Sequence, residues 1–135
     1  VNTIILLCDY AEVIDGKLYV MGGGWTGCQP GLRNMAVAIK VLVPWDKTNI
    51  RHDMSLMLQD TSGVTIALGD PPQPVRHDGN FEVGRPPGIP VGAELDFAAA
   101  IGFVGLPLEP DKGYCWQLEI NGEPAAHASF RTNKQ

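Results

Sequence analysis

Residues 13–25, VIDGKLYVMGGGW, decide the fold. Asp15-Gly16 lies between two apolar runs, and this pair accepts the positive φ angles of a two-residue type I′ turn, so a β-hairpin is expected. The second arm leads from Lys17 to Met21 and into Gly22-Gly23-Gly24, where a strand stripped of side chains must bend, bulge or admit a close neighbour. Trp25 restores bulk behind the glycines. The stretch reads as the first hairpin of an all-β domain with a glycine corner and an aromatic plug.

Outward from this hairpin the chain reads as further strands. Residues 3–8 form an apolar run suited to a strand covered on both faces. Residues 26–34, rich in turn formers, read as a loop. Residues 35–43 alternate, with Val37, Ile39, Val41 and Val43 on one face, and Pro44 ends that strand. Residues 52–60 alternate again, with Met54, Leu56 and Leu58 inward, and Ser62-Gly63 turns the chain into 64–68 as a second hairpin. The proline-rich segment 69–79 reads as a crossing from one sheet to the other, 81–83 as a short strand and 84–92 as a stiff Pro/Gly loop. Strands at 95–103 and 114–120 follow, the latter with Tyr114, Trp116, Leu118 and Ile120 on one face. Asn121-Gly122 supplies another I′ signal before a returning strand at 125–131. No helix-period segment of useful length occurs. The pattern predicts one all-β domain over 1–135, an immunoglobulin-like two-sheet antiparallel sandwich of about eight or nine short strands.

Composition narrows the function classes. A chain of 135 residues buries about two-thirds of its unfolded surface and needs no disulfide or metal staple. Its 16 Gly and 11 Pro imply short elements punctuated by turns. A net charge of −5, with 10 scattered Lys and Arg, disfavours a nucleic-acid surface. Cys8, Cys28 and Cys115 are odd in number and lack metal-ligand spacing, so free thiols in a reducing compartment are expected, a bridge between two of them being the alternative. The opening VNTIILLCDY has no basic region and too short an apolar run for a bilayer, so neither a signal peptide nor a membrane span is expected, and the cytoplasm of the producing cell is the default location. A first residue Val1 fits a trimmed or processed terminus, or a GTG start of the kind common in high-GC bacteria and their phages.

Few residues suggest chemistry. The glycine run lacks the Gly-Lys-Ser/Thr of a phosphate loop. His52 and Asp53 are strand neighbours and point to opposite faces, whereas His77-Asp78, read as loop, could cooperate. His127 has no evident partner, and Asp9, Asp15, Asp46 and Asp60 fall in no metal-ligand spacing. No catalytic, cofactor-binding or metal residue is therefore assigned. The interface candidates are Trp45, Arg85, Pro86 and Pro87, because aromatics and Arg beside stiff loops anchor protein contacts. The competing reading has Trp45 capping the core and Arg85 pairing with Glu82 or an Asp. Asp15, Gly16, Gly22, Gly23, Gly24, Trp25, Tyr114, Trp116, Asn121 and Gly122 are read as structural.

Two resemblances add to this. Asp111, Gly113 and Tyr114 before Cys115-Trp116 resemble the E-to-F corner of immunoglobulin-like folds, where a Tyr hydroxyl bonds back to the preceding loop; the Tyr-Cys spacing is one residue short, which argues against a core disulfide. The blocks LLCDYAEVIDGKLYVMGGGW, VPWDKTNIRH, FEVGRPPGIPVG, GLPLEPDKGYCWQLEINGE and SFRTN together resemble an uncharacterised bacterial β-sandwich family associated with actinobacteria and their phages. That resemblance implies a fold and no site residues. The leading functional expectation is a non-catalytic structural or protein-interaction module, specifically an accessory or decoration protein of a bacteriophage particle. Its partners would be copies of itself or a capsid or tail protein, with no cofactor, nucleic acid or membrane involved, and its place would be the cytoplasm or the virion. The alternatives are a small-ligand module using Trp25, Trp45 and Trp116 as platforms and, more remotely, a hydrolase.

Overall fold

A computed structural model describes residues 2–134. One sheet contains β1 (Asn2–Ile14), β2 (Lys17–Gly23), β4 (Gly31–Val43) and β9 (Leu95–Leu108), in the order β2-β1-β4-β9. The other contains β3 (Gly27–Cys28), β5 (Arg51–Asp60), β8 (Arg76–Glu82), β10 (Gly113–Ile120) and β11 (Glu123–Thr132), in the order β3-β11-β10-β5-β8. The short pair β6 (Ala67–Leu68) and β7 (Gln73–Pro74) stands apart. All pairings are antiparallel except that of β3 with β11. The rows β1-β4-β9 and β11-β10-β5-β8 reproduce the A-B-E and G-F-C-C′ orders of immunoglobulin-type sandwiches. The added strand is β2, outside β1.

Alternation places the core. Val37, Ile39, Val41 and Val43 of β4 face Met54, Leu56 and Leu58 of β5 and Tyr114, Trp116, Leu118 and Ile120 of β10, all buried. Trp116 is fully enclosed; its indole N–H donates to Met35 Sδ at 3.4 Å, and the Phe103 ring lies 4.4 Å away. At the E-to-F corner the Tyr114 hydroxyl accepts the Glu109 N–H at 2.9 Å. Trp25 meets Phe130 edge-on at 5.7 Å, plugging the same end of the core.

Several expectations are corrected. Strand β1 is not covered on both faces: Leu7 points into the core, while Ile4 and Leu6 are exposed. An apolar run cannot by itself distinguish a buried second face from a bare one. Residues 26–34 are not all loop, since β3 and the first four residues of β4 fall there. Segment 69–79 does not cross between sheets. Both β5 and β8 lie in the same sheet, and the crossing belongs to residues 83–94. Residues 64–68 rejoin β5 only at the Gln59–Thr65 bridge before pairing with β7, so the second hairpin is rudimentary. Strand β9 continues past Phe103 to Leu108, because a bulge opposite Arg33 and Met35, with Gly105 at φ +69°, absorbs the irregularity. Among the described residues strands number eleven, because the two-residue pieces β3 and β7 fall in segments read as loop.

Candidate interaction surface

The four interface candidates from the sequence meet at one end of the sandwich. Pro44 ends β4, and Trp45–Lys47 form a 3-10 turn. The Thr48 hydroxyl closes it by donating to the Trp45 carbonyl at 2.6 Å. Arg85, from the 83–94 crossing, stacks 4.0 Å above the Trp45 ring. Its Nε donates to Thr48 Oγ1 at 2.6 Å and its Nη2 to the Trp45 carbonyl at 2.7 Å. Arg85 therefore pairs with the 45–48 turn, not with Glu82 or an Asp, and its donor fork serves to join two inter-sheet crossings. Pro86 and Pro87 follow it, exposed.

Behind this joint His52 is buried against Phe81. Its Nε2 contacts the Lys47 carbonyl at 2.9 Å and its Nδ1 faces Asn121 Nδ2 at 3.0 Å. A neutral imidazole carrying its proton on Nε2 satisfies both bonds, donating one and accepting the other. Asn121 also accepts the Asp53 N–H through Oδ1 at 2.9 Å. The β10–β11 turn is thereby tied to β5.

The acid/base candidates are not brought together. His77 and Asp78 are successive residues of β8, so they point to opposite faces, which corrects their reading as a loop pair. Asp78 instead accepts from Ser55 Oγ at 2.6 Å and Arg76 Nε at 2.8 Å, and these bonds hold its carboxyl below the ordinary range. Nor do the tryptophans form a shared platform. Trp116 is sealed in the core, and Trp25 and Trp45 cap opposite ends. Among the described residues no three His, Cys, Asp or Glu side chains gather as metal ligands would, and no helix is long and apolar enough to cross a membrane.

The β1–β2 hairpin presents a different surface. Pairing of β1 with β4 ends at Cys8–Ala36, and beyond it β1 pairs only with β2. The regular pairing is interrupted opposite Asp9, where Gly22 has φ +63° and the Asp9 carboxylate fills the space a Gly22 side chain would take. The hairpin bends there, and β2 comes into contact with β9, the far strand of its own sheet. Ala11 and Leu18 pack on Cys8, Ala36 and Ala38, small residues that let the hairpin lie close. The Cys8 thiol donates to the Ala36 carbonyl at 3.4 Å, and burial, reinforced by the Asp9 charge, pushes its pKa up.

The opposite hairpin face is bare and, beside the charged Glu12 and Lys17, apolar: Tyr10 is 52% exposed, Ile14 47%, Tyr19 49% and Met21 66%. In the sequence this stretch reads as structural, with no surface role. The signal was present in Leu18-Tyr19-Val20-Met21, four consecutive apolar residues where a strand with one wet face should alternate.

Fold and surface together define an immunoglobulin-like β-sandwich with an apolar hairpin laid on its flank. The chain belongs to DUF6941, a family of unknown function, which matches residues 3–133. Neither a curated protein nor a solved structure matches it.

Proposed function

We propose that this protein is a non-catalytic interaction module that docks on protein partners through the outer face of the β1–β2 hairpin. The observation that carries this reading is the concentration of exposed Tyr10, Ile14, Tyr19 and Met21 on one hairpin, since apolar surface gathered in one place marks interaction sites. Tyr and Met are residue types favoured at such contacts. Arg85, by contrast, directs Nε and Nη2 to the 45–48 turn of its own chain, so the Trp45 end serves first to join loops.

The narrower reading is an accessory protein of a bacteriophage particle, present in the cytoplasm of the producing cell and then on the virion. It rests on the sequence resemblance. Gradient sedimentation of particles from producing cells tests it: the wild type travels with the particles and a Tyr10→Glu/Met21→Glu variant stays at the top. A wild type absent from the particle fraction removes the phage reading, and equal binding by the variant removes the hairpin from it.

A further inference from the structure

We propose that the free edge of β2 pairs antiparallel with β2 of a second copy of this chain, about a two-fold axis at Tyr19. The proposal rests on the reading of the hairpin as a docking surface and names its occupant. Strand β2 is the terminal strand of its sheet, with β1 as its one hydrogen-bonded neighbour. A two-residue turn closes on Ile14 and Lys17, which exchange both backbone bonds, so the alternation turns the N–H and C=O groups of Leu18 and Val20 away from β1. Along Leu18–Met21 the edge carries little protection: β2 contains no proline, its one charge, Lys17, sits at its start, and the bend at Gly22 lies beyond Met21.

The strand is self-complementary. A two-fold at Tyr19 sets Leu18 of each copy opposite Val20 of the other, so the outward groups form four hydrogen bonds across the axis. Tyr19 faces Tyr19 at a non-hydrogen-bonded position, where side chains come closest and aromatic pairs contribute most. Lys17 falls opposite Met21 of the second copy, whose neighbour in β1 is Tyr10. The Tyr10 hydroxyl donates to Glu12 at 3.0 Å, so each copy brings a carboxylate and an ammonium to the face that meets the other. Among the described residues Lys17 and Glu12 take part in no ion pair within the chain. Such an arrangement is isologous and closes at two copies.

Light scattering after size exclusion, over a wide concentration range, tests it. The wild type is expected to rise from 14.6 kDa to twice that mass as concentration increases. Val20→Pro removes an outward N–H while sparing the bonds to β1, and Tyr19→Glu sets two carboxylates face to face; each variant, shown folded by circular dichroism, is expected to keep the mass of one chain. A wild type that never exceeds one chain overturns the self-pairing, and the particle sedimentation then decides the docking reading separately. A dimer that survives in either folded variant places the contact elsewhere and also overturns it.

Discussion

Two hairpins of this molecule are closed by nearly the same turn and have opposite fates. Asp15-Gly16 has φ values of +52° and +72°, and Asn121-Gly122 has +53° and +80°. Behind Asn121 the strands β10 and β11 lie within a sheet, the inward face of β10 fills the core, and the turn is bonded to Asp53 and His52. Behind Asp15 the hairpin leaves the plane of its sheet at Gly22, rests on alanines and turns tyrosines and a methionine outward. Turn chemistry thus fixes that a hairpin forms, while the residues beyond the turn decide whether it builds the core or a surface.

The sharpest way to break this contrast is to truncate one apolar residue in each. Leu118→Ala in β10 is expected to cost about 3 kcal/mol, as buried leucines do, and Tyr19→Ala in β2 no more than about 0.5 kcal/mol, both read from urea melts. Comparable losses would mean that the first hairpin is as deeply built in as the second. Next come the turns: Asn121→Ala removes the partners of a buried imidazole nitrogen and of the Asp53 N–H, and is expected to cost about 2 kcal/mol. Asp15→Ala loses only its tolerance of positive φ and should cost about 1 kcal/mol.

Gly22→Ala tests the bend. A side chain at φ +63° that also displaces the Asp9 carboxylate is expected to cost about 1.5 kcal/mol, with protection lost in amide exchange along β1–β2 and retained along β10–β11. The smallest effect concerns pH. Because hydrogen bonds from Ser55 and Arg76 lower the Asp78 pKa, its contribution is present above the ordinary value of 3.8 and lost as pH falls through the lower folded-state value. Asp78→Asn should flatten that acid limb in melts taken as a function of pH, and the exposure of the group keeps the change small.

These contrasts also separate what was legible in the sequence from what was not. In β4, β5 and β10 every second residue meets the other sheet, so Val37, Leu56 and Trp116 could be placed from spacing alone, although the burial of Ala36 and Ala38 under the hairpin could not. The extension of β9 was hidden by Gly105 and Pro107, which read as breakers but sit on a bulged edge strand where both are tolerated. The crossing at 83–94 was assigned to 69–79 because proline content marks loops without saying which sheet receives the chain. Trp45 and Arg85 stand out in the sequence as interface candidates, but their stacking on one another depends on two crossings that meet only in the folded chain. The bare face of β1–β2 was misread because exposed and buried apolar residues share one alphabet; only the absence of a covering layer distinguishes them.

The most direct test of the hairpin as docking surface is amide hydrogen exchange followed residue by residue as the wild-type protein is concentrated. Leu18 and Val20, whose N–H groups face away from β1, are expected to gain protection while Arg85 and the 84–94 loop do not change. Protection that appears at Arg85 and its loop, with Leu18 and Val20 still exchanging freely, would contradict the account and return the interface to the Trp45 end of the sandwich.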